Sequence, residues 1–180
     1  YLIGVNDPEE YTEQMENSRV ASLTKLVNRW DASVMLVPTA DNILTDKLPA
    51  FAPRYEEERL LAKVQNAIGE EHYVDVYHAL QEHAQESIYY RTDHHWTSLG
   101  AYYGFLAWAD SVGRFPYPYD VNGMETVSED FQGTLQSRIN VNWTKDTIQY
   151  FPETEKKEVS VIYDFKDTAD SLYAPDYLDT

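Results

Sequence analysis

Cysteine is absent from all 180 residues, which excludes disulfides, thiolate-bound zinc and a thiol nucleophile. The absence is compatible with a cytoplasmic or a bacterial extracellular home and does not choose between them. Basic residues are scarce: 14 Lys and Arg stand against 31 Asp and Glu, a formal net charge of -17. Such a surface repels phosphate backbones and anionic headgroups, so nucleic acid is not expected as a partner. No apolar run approaches the roughly 20 residues of a membrane-spanning helix. The opening YLIGVNDPEEY lacks the basic-then-apolar layout of a signal peptide. A soluble chain is expected. An initiator methionine is missing too; the chain opens mid-pattern on Tyr1 and stops on APDYLDT without an element that could dock. These ends read as those of a mature fragment.

What is present suffices for one domain: 180 residues, 43% of them hydrophobic, can enclose one core but not two comfortable ones. The aromatic share of 14%, with 15 tyrosines, suits sugar-binding and protein-binding surfaces as well as cores. There is no internal repeat and no low-complexity tract.

Along the chain, strand and helix patterns alternate. Residues 9–29 read as a helix, with Tyr11, Met15, Val20, Leu23, Leu26 and Val27 at three- and four-residue steps after Asp7-Pro8. Ser33 to Pro38 reads as a buried strand. A loop with Pro49 and Pro53 leads to a helix over 54–68, marked by Leu60, Leu61, Val64 and Ile68 and stopped by Gly69. Tyr73 to Tyr77 reads as a second strand, HALQEHA as a short helix, and Ile88-Tyr89-Tyr90 as a brief extended segment. Ser98 to Ser111 is a helix with Thr97 as N-cap and Gly113 as its stop. Residues 114–165 form a β-rich insertion or flank, in which TIQYF and VSVIYDF are strands separated by the charged turn PETEKKE. Alternation at this spacing predicts a parallel sheet with crossover helices on both faces. Functional groups in such sheets sit past the carboxyl ends of strands.

TDHHW, residues 92–96, occupies such a place, and three chemistries compete for it. In nucleophilic catalysis a carboxylate holds one imidazole nitrogen while the other takes a proton from a serine hydroxyl. Asp93 would orient, His95 would be the base, and Trp96 would wall it from water or position an acyl or sugar group. Metal binding is disfavoured: adjacent histidine side chains diverge, and His72, His78 and His83 are candidates by type only. His78 is expected to pair with Glu82 at i+4, and YDVNGMETVSE lacks the spacing of an EF-hand. No metal and no cofactor are expected. In the packing alternative Asp93 caps the helix, His94 is solvated, and His95 and Trp96 enter a core.

YYRTDHHWTSLGAYYGF, with LVPTADNILTDKLPAF at 36–51 and DFQGTLQSR at 130–138, resembles the bacterial DHHW protein family. That family is similar to the alginate O-acetyltransferase-like proteins and, through them, to the SGNH hydrolases. The resemblance implies an SGNH-hydrolase-like (flavodoxin-like) three-layer α/β fold spanning residues 1–180 as one domain, incomplete here, with the β-rich flank. It also implies a Ser-His-Asp mechanism that transfers or removes acetyl groups on a cell-surface or secreted polysaccharide. Asp93 matches the orienting acid and His95 the base; His94 stands at the variable position of Asp-x-His-Trp. Trp96, His94, Arg91 and Tyr90 are the candidates to contact an acyl donor or sugar, although Arg91 also suits a surface ion pair.

The relatives carry their serine later, in a Gly/Lys-Asp-Ser-type turn. These 180 residues contain no Gly-Asp-Ser, Lys-Asp-Ser or Gly-x-Ser-x-Gly. Ser171, in TADS, follows a polar stretch, and Ser98 better suits satisfying free N–H groups at a helix start. The serine is expected beyond Thr180. The partners implied are a polysaccharide or acyl donor and a membrane acyltransferase, at an extracellular or cell-surface location with the parent protein membrane-anchored. The alternative is a non-catalytic polysaccharide- or protein-binding module that retains the fold.

Overall fold

A computed structural model describes residues 11–116, 118–139 and 144–152, with the backbone alone at 161–163 and 167–169. The first helix, α1, runs Glu13–Trp30, and Thr12 caps it by accepting from the Met15 N–H at 3.3 Å. Its buried positions are Glu16, Val20 and Val27. Met15 and Leu26, expected in the apolar stripe, are instead 40% and 48% exposed. A buried acid replaces them in the helix interface: Glu16 accepts from Tyr55 Oη at 2.7 Å and pairs with Arg59 at 2.6 Å and Lys63 at 3.4 Å. The Tyr55 hydrogen bond is the chief cause holding the Glu16 carboxyl below its ordinary range, ahead of the opposing effect of burial.

Strand β1, Val34–Met35, pairs in parallel with β2, Tyr73–Val74, through Val34↔Tyr73 and Met35↔Val74. Between them lie α2, Ala40–Ile43, and α3, Glu57–Ile68, which buries Leu61, Val64 and Ile68. The expected crossover is therefore present. Both strands are shorter than their apolar runs suggested. After Val74, Asp75 accepts from the His78 N–H at 3.2 Å and starts α4, Val76–Glu82; capping converts the second half of YVDVY into helix. Among the described residues, parallel pairing is confined to these two strands.

Helix α5, Ser98–Ser111, begins where Thr97 Oγ1 accepts from the Gly100 N–H at 3.3 Å, and Gly113 follows its end with a φ of 63°. It packs on α4, where the His83 ring stacks on Tyr103 with centroids 3.5 Å apart. Strand β3, Glu125–Phe131, pairs antiparallel with β4, Asp146–Tyr150, and α6, Thr134–Ile139, lies between them in sequence. A last antiparallel pair joins β5, Val161–Tyr163, to β6, Asp167–Ala169. TIQYF and VSVIYDF thus each contain a strand, but their partners are β3 and β6, neither of which the apolar pattern revealed. Most of PETEKKE lies outside the described residues.

The core unites Val20 and Val27 of α1, Val34 of β1, Ile43 and Leu44, Leu61 and Val64 of α3, Val76 and Leu80 of α4, and Ile88 and Tyr89. Each such side chain contributes about 1.5–3 kcal/mol by leaving water. Ile88 and Tyr89 anchor the segment that leads into TDHHW, and the Tyr89 hydroxyl donates to the Pro38 carbonyl past the end of β1 at 2.6 Å.

Candidate active site

The motif is a loop held at both ends by the backbone. Tyr89 and Trp96 form an isolated antiparallel bridge, the Tyr90 N–H donates to the His95 carbonyl at 3.3 Å, and the Thr97 N–H donates to the Ile88 carbonyl at 2.9 Å. These bonds turn Arg91 to His95 into a loop that returns directly to the start of α5.

Inside the loop, Thr92 is fully buried and acts as a rivet. Its N–H and hydroxyl donate to Asp146 Oδ2 at 2.7 and 2.6 Å, its Oγ1 accepts from the Gly133 N–H at 3.0 Å, and its carbonyl accepts from the Leu135 and Gln136 N–H groups. Asp146, the first residue of β4, also accepts from the Arg91 N–H at 2.9 Å and Nε at 3.2 Å. The β-rich flank therefore holds the motif in place.

Asp93 is only 4% exposed. Its Oδ1 accepts from the His95 N–H at 2.9 Å and lies 2.5 Å from His95 Nδ1. Its Oδ2 accepts from the Thr134 N–H at 2.8 Å and the Thr134 hydroxyl at 3.0 Å. Burial by itself would raise the Asp93 pKa, but the hydrogen bonds from Thr134 and His95 outweigh it and hold the carboxyl well below the usual range. Gly133 is required here, because a Cβ at that position would collide with the Asp93 side chain.

His95 is gripped at Nδ1, while its side chain is 65% exposed and no described residue hydrogen-bonds to its Nε2. The packing alternative fails for Asp93 and His95, since Asp93 faces His95 and Thr134 while Thr97 caps α5 and His95 is not in a core; its solvated His94 and its Trp96 packed against the core are both seen. The nearby cavity of about 710 Å³ is lined by Tyr90, Arg91, Ser98, Glu129 and Asp146 among others, but not by Asp93, His94 or His95.

His94 is 54% exposed, with Nδ1 2.8 Å from Thr134 Oγ1. Its ring lies beside that of His95 with centroids 3.8 Å apart, a correction to the expectation that adjacent histidines diverge. The acceptor of Thr134 and the carboxylate of Asp93 draw both rings to one side. The ligand atoms of Asp93, His94 and His95 lie within 4.8 Å of one another, close enough for a cation. Both imidazoles already commit Nδ1 to hydrogen bonds, which argues for a proton-handling role. The other histidines lie apart from this cluster: His78 bonds to Asp75 at 2.6 Å, not to Glu82, and His83 bonds to Glu86 at 2.6 Å. His72 lies 3.8 Å from Asp31.

Trp96 is half-buried, and a Cβ on Gly104 would lie 2.7 Å from its ring. Gly104 of α5 thus makes room for an indole that pins the loop to the helix. Arg91 forms the ion pair with Asp146 and donates to the Lys145 carbonyl, and Tyr90 meets Phe131 edge-on at 5.2 Å. Ser98 donates to the Gln149 carbonyl of β4 at 2.5 Å; the helix start is capped by Thr97 instead. Ser171 lies outside the described residues, and among the described residues no serine hydroxyl bonds to His95.

Sequence reasoning did not single out Gly133, Thr134, Thr92 or Asp146. The Gly-Thr pair had a signal inside DFQGTLQSR. Asp146, 55 residues from Arg91, had none.

Residues 9–177 match the family model of the SGNH hydrolase-like domain, acetyltransferase AlgX. Among solved structures, a DHHW family protein from Eubacterium siraeum aligns with a TM-score of 0.63 at 29% identity, over 76% of this chain and 47% of its own. Bacillus cereus PatB1, solved with a sulfonyl adduct, aligns with a TM-score of 0.55 at 16% identity, over 88% of this chain and 55% of its own, a likeness of fold. This chain spans about half the length of these two solved structures. No curated protein matches it.

Proposed function

The chain belongs to the family of the SGNH hydrolase-like domain of the acetyltransferase AlgX, and on that premise we propose that Asp93 and His95 are the acid and base of a Ser-His-Asp acyl-transfer site. The observation that carries the reading is the 2.5 Å contact between Asp93 Oδ1 and His95 Nδ1, on a His95 side chain that is 65% exposed. The serine comes from outside these 180 residues and meets His95 on its open side.

In this reading the serine hydroxyl attacks the acetyl carbonyl and passes its proton to His95 Nε2. The departing alcohol takes that proton and leaves an acetyl-serine. Water or a sugar hydroxyl then gives its proton to His95 and attacks the acetyl group, and the serine oxygen recovers the proton as it leaves. Asp93 stabilises the imidazolium and keeps Nδ1 protonated. The substrate is an acetyl ester on a secreted or cell-surface polysaccharide, and a membrane acyltransferase is the proposed partner in supplying acyl groups. An extracellular or cell-surface location belongs to the same proposal. So does the three-layer parallel sheet, of which β1 and β2 would be two strands.

Acetyl-ester turnover by the full-length protein tests this. His95→Ala should lower kcat about 10⁶-fold and Asp93→Asn about 10⁴-fold, the scales seen when the base or the orienting acid of a triad is lost; equal turnover in wild type and His95→Ala would remove the base. A second reading, a polysaccharide- or protein-binding module, draws on the lack of any serine contact to His95 among the described residues. It predicts saturable binding of acetylated polysaccharide without turnover.

A further inference from the structure

A count of hydrogens around Asp93 determines which nitrogen of each histidine carries a proton. Asp93 is ionised and only accepts. The Thr134 hydroxyl has one hydrogen, and its oxygen lies 3.0 Å from Asp93 Oδ2; two oxygens at that distance, one of them charged, need the hydrogen between them, so it goes to the carboxylate. The 2.8 Å contact between Thr134 Oγ1 and His94 Nδ1 must then run the other way, with His94 Nδ1–H donating to the hydroxyl oxygen. A neutral His94 consequently carries its lone pair at Nε2. The same logic applies to His95, whose Nδ1–H donates to Asp93 Oδ1.

Two imidazoles therefore present equivalent lone pairs. Their Nδ1 atoms lie 2.5 and 3.7 Å from the same oxygen, Asp93 Oδ1, and their rings are inclined by only 38°. Both side chains are more than half exposed, the two rings lie side by side, and no described residue donates to either Nε2. A ring-nitrogen lone pair lies in the plane of its ring. The two planes are tilted by 38° rather than coincident, so the two lone pairs have different axes and can each take a separate donor.

We propose that His94 is an acceptor-binding residue whose Nε2 receives a hydrogen bond from a second hydroxyl of the acyl acceptor, next to the hydroxyl that His95 deprotonates. The proposal rests on the reading of His95 as the base. The reacting hydroxyl owns a single hydrogen, and that hydrogen passes to His95, so only another O–H can satisfy His94. The acceptor class is a vicinal diol, as on a sugar ring, and a simple monoalcohol offers His94 no second hydroxyl and leaves its Nε2 to water. A site that hydrogen-bonds a substrate hydroxyl discriminates against analogues lacking it.

The test offers the full-length protein 4-nitrophenyl acetate as donor with ethane-1,2-diol and methanol as competing acceptors, and the acetylated products are quantified. Wild type should favour the diol about tenfold per hydroxyl, the effect of one well-made hydrogen bond. The preference should fall to about one in His94→Phe and be partly kept in His94→Gln, whose amide oxygen accepts. A wild type with no diol preference, a preference unchanged in His94→Phe, or a change confined to hydrolysis would each overturn it. A second measurement does not depend on turnover: long-range nitrogen–proton correlation spectra should show neutral His94 as the Nδ1–H form, moving toward Nε2–H in Thr134→Val. Finding Nε2–H in the wild type would overturn the proposal whatever the enzyme does. Equal donor consumption by wild type and His95→Ala, with Nδ1–H retained on His94, would instead locate the failure in the assignment of the base.

Discussion

Thr134 holds Asp93 twice, with its backbone N–H at 2.8 Å and its hydroxyl at 3.0 Å from the same carboxylate oxygen. The acid of the motif is thus aimed by a residue 41 positions away in sequence, and the aim can be perturbed without touching either member of the Asp-His pair.

Thr134→Val removes the hydroxyl and keeps the backbone donor and the shape. A hydrogen bond to a charged group is worth about 1.5–3 kcal/mol, so acetyl-ester turnover should fall about tenfold and denaturant unfolding should show a loss of about 1–2 kcal/mol. Thr134→Ser should restore both. Full turnover in Thr134→Val would show that the backbone N–H alone positions Asp93.

Gly133→Ala should be severe. The added methyl would collide with a buried side chain whose four hydrogen bonds leave no way to step aside. A loss of about 3 kcal/mol or more in denaturant unfolding is expected, at the upper end for overpacking. A stability within about 0.5 kcal/mol of wild type would contradict the contact.

Gly104→Ala should displace Trp96, because the new methyl would sit 2.7 Å from the indole. The expected cost is about 1–3 kcal/mol, with a change in tryptophan fluorescence. Adding Trp96→Leu, a smaller side chain, should recover part of that loss. Strict additivity of the two changes would argue against the contact.

Two carboxyls, the buried Asp93 and the half-buried Glu57, should respond to pH with opposite signs. Asp93 has a folded pKa below its unfolded one, so its contribution is complete above the ordinary carboxylate range and disappears as pH falls through the lowered folded value. Glu57 is raised, chiefly by burial. Its contribution is complete below the ordinary range and disappears as pH rises through the raised folded value. The geometry agrees: Thr39 Oγ1 lies 2.5 Å from Asp41 Oδ1 and 2.9 Å from Glu57 Oε1, and one hydroxyl hydrogen cannot serve two carboxylates. Glu57→Gln, which supplies the missing donor, should flatten the decline of stability with rising pH. Asp93→Asn should flatten its decline toward acid. Unfolding free energies measured across the pH range check both slopes.

Sequence alone determined the elements whose causes are local. The helices over 13–30, 57–68 and 98–111 follow from side-chain periodicity and capping residues, and the reach from Asp93 to His95 is set within a tripeptide. Tertiary structure decided the rest. The extent of β1 and β2 depends on partners more than 30 residues apart, β3 is a mostly exposed strand visible only through its pairing with β4, and the restraint on the motif comes from Gly133, Thr134 and Asp146. A hydrogen bond needs its partner within about 3 Å, and for residues far apart in the chain only folding supplies that proximity.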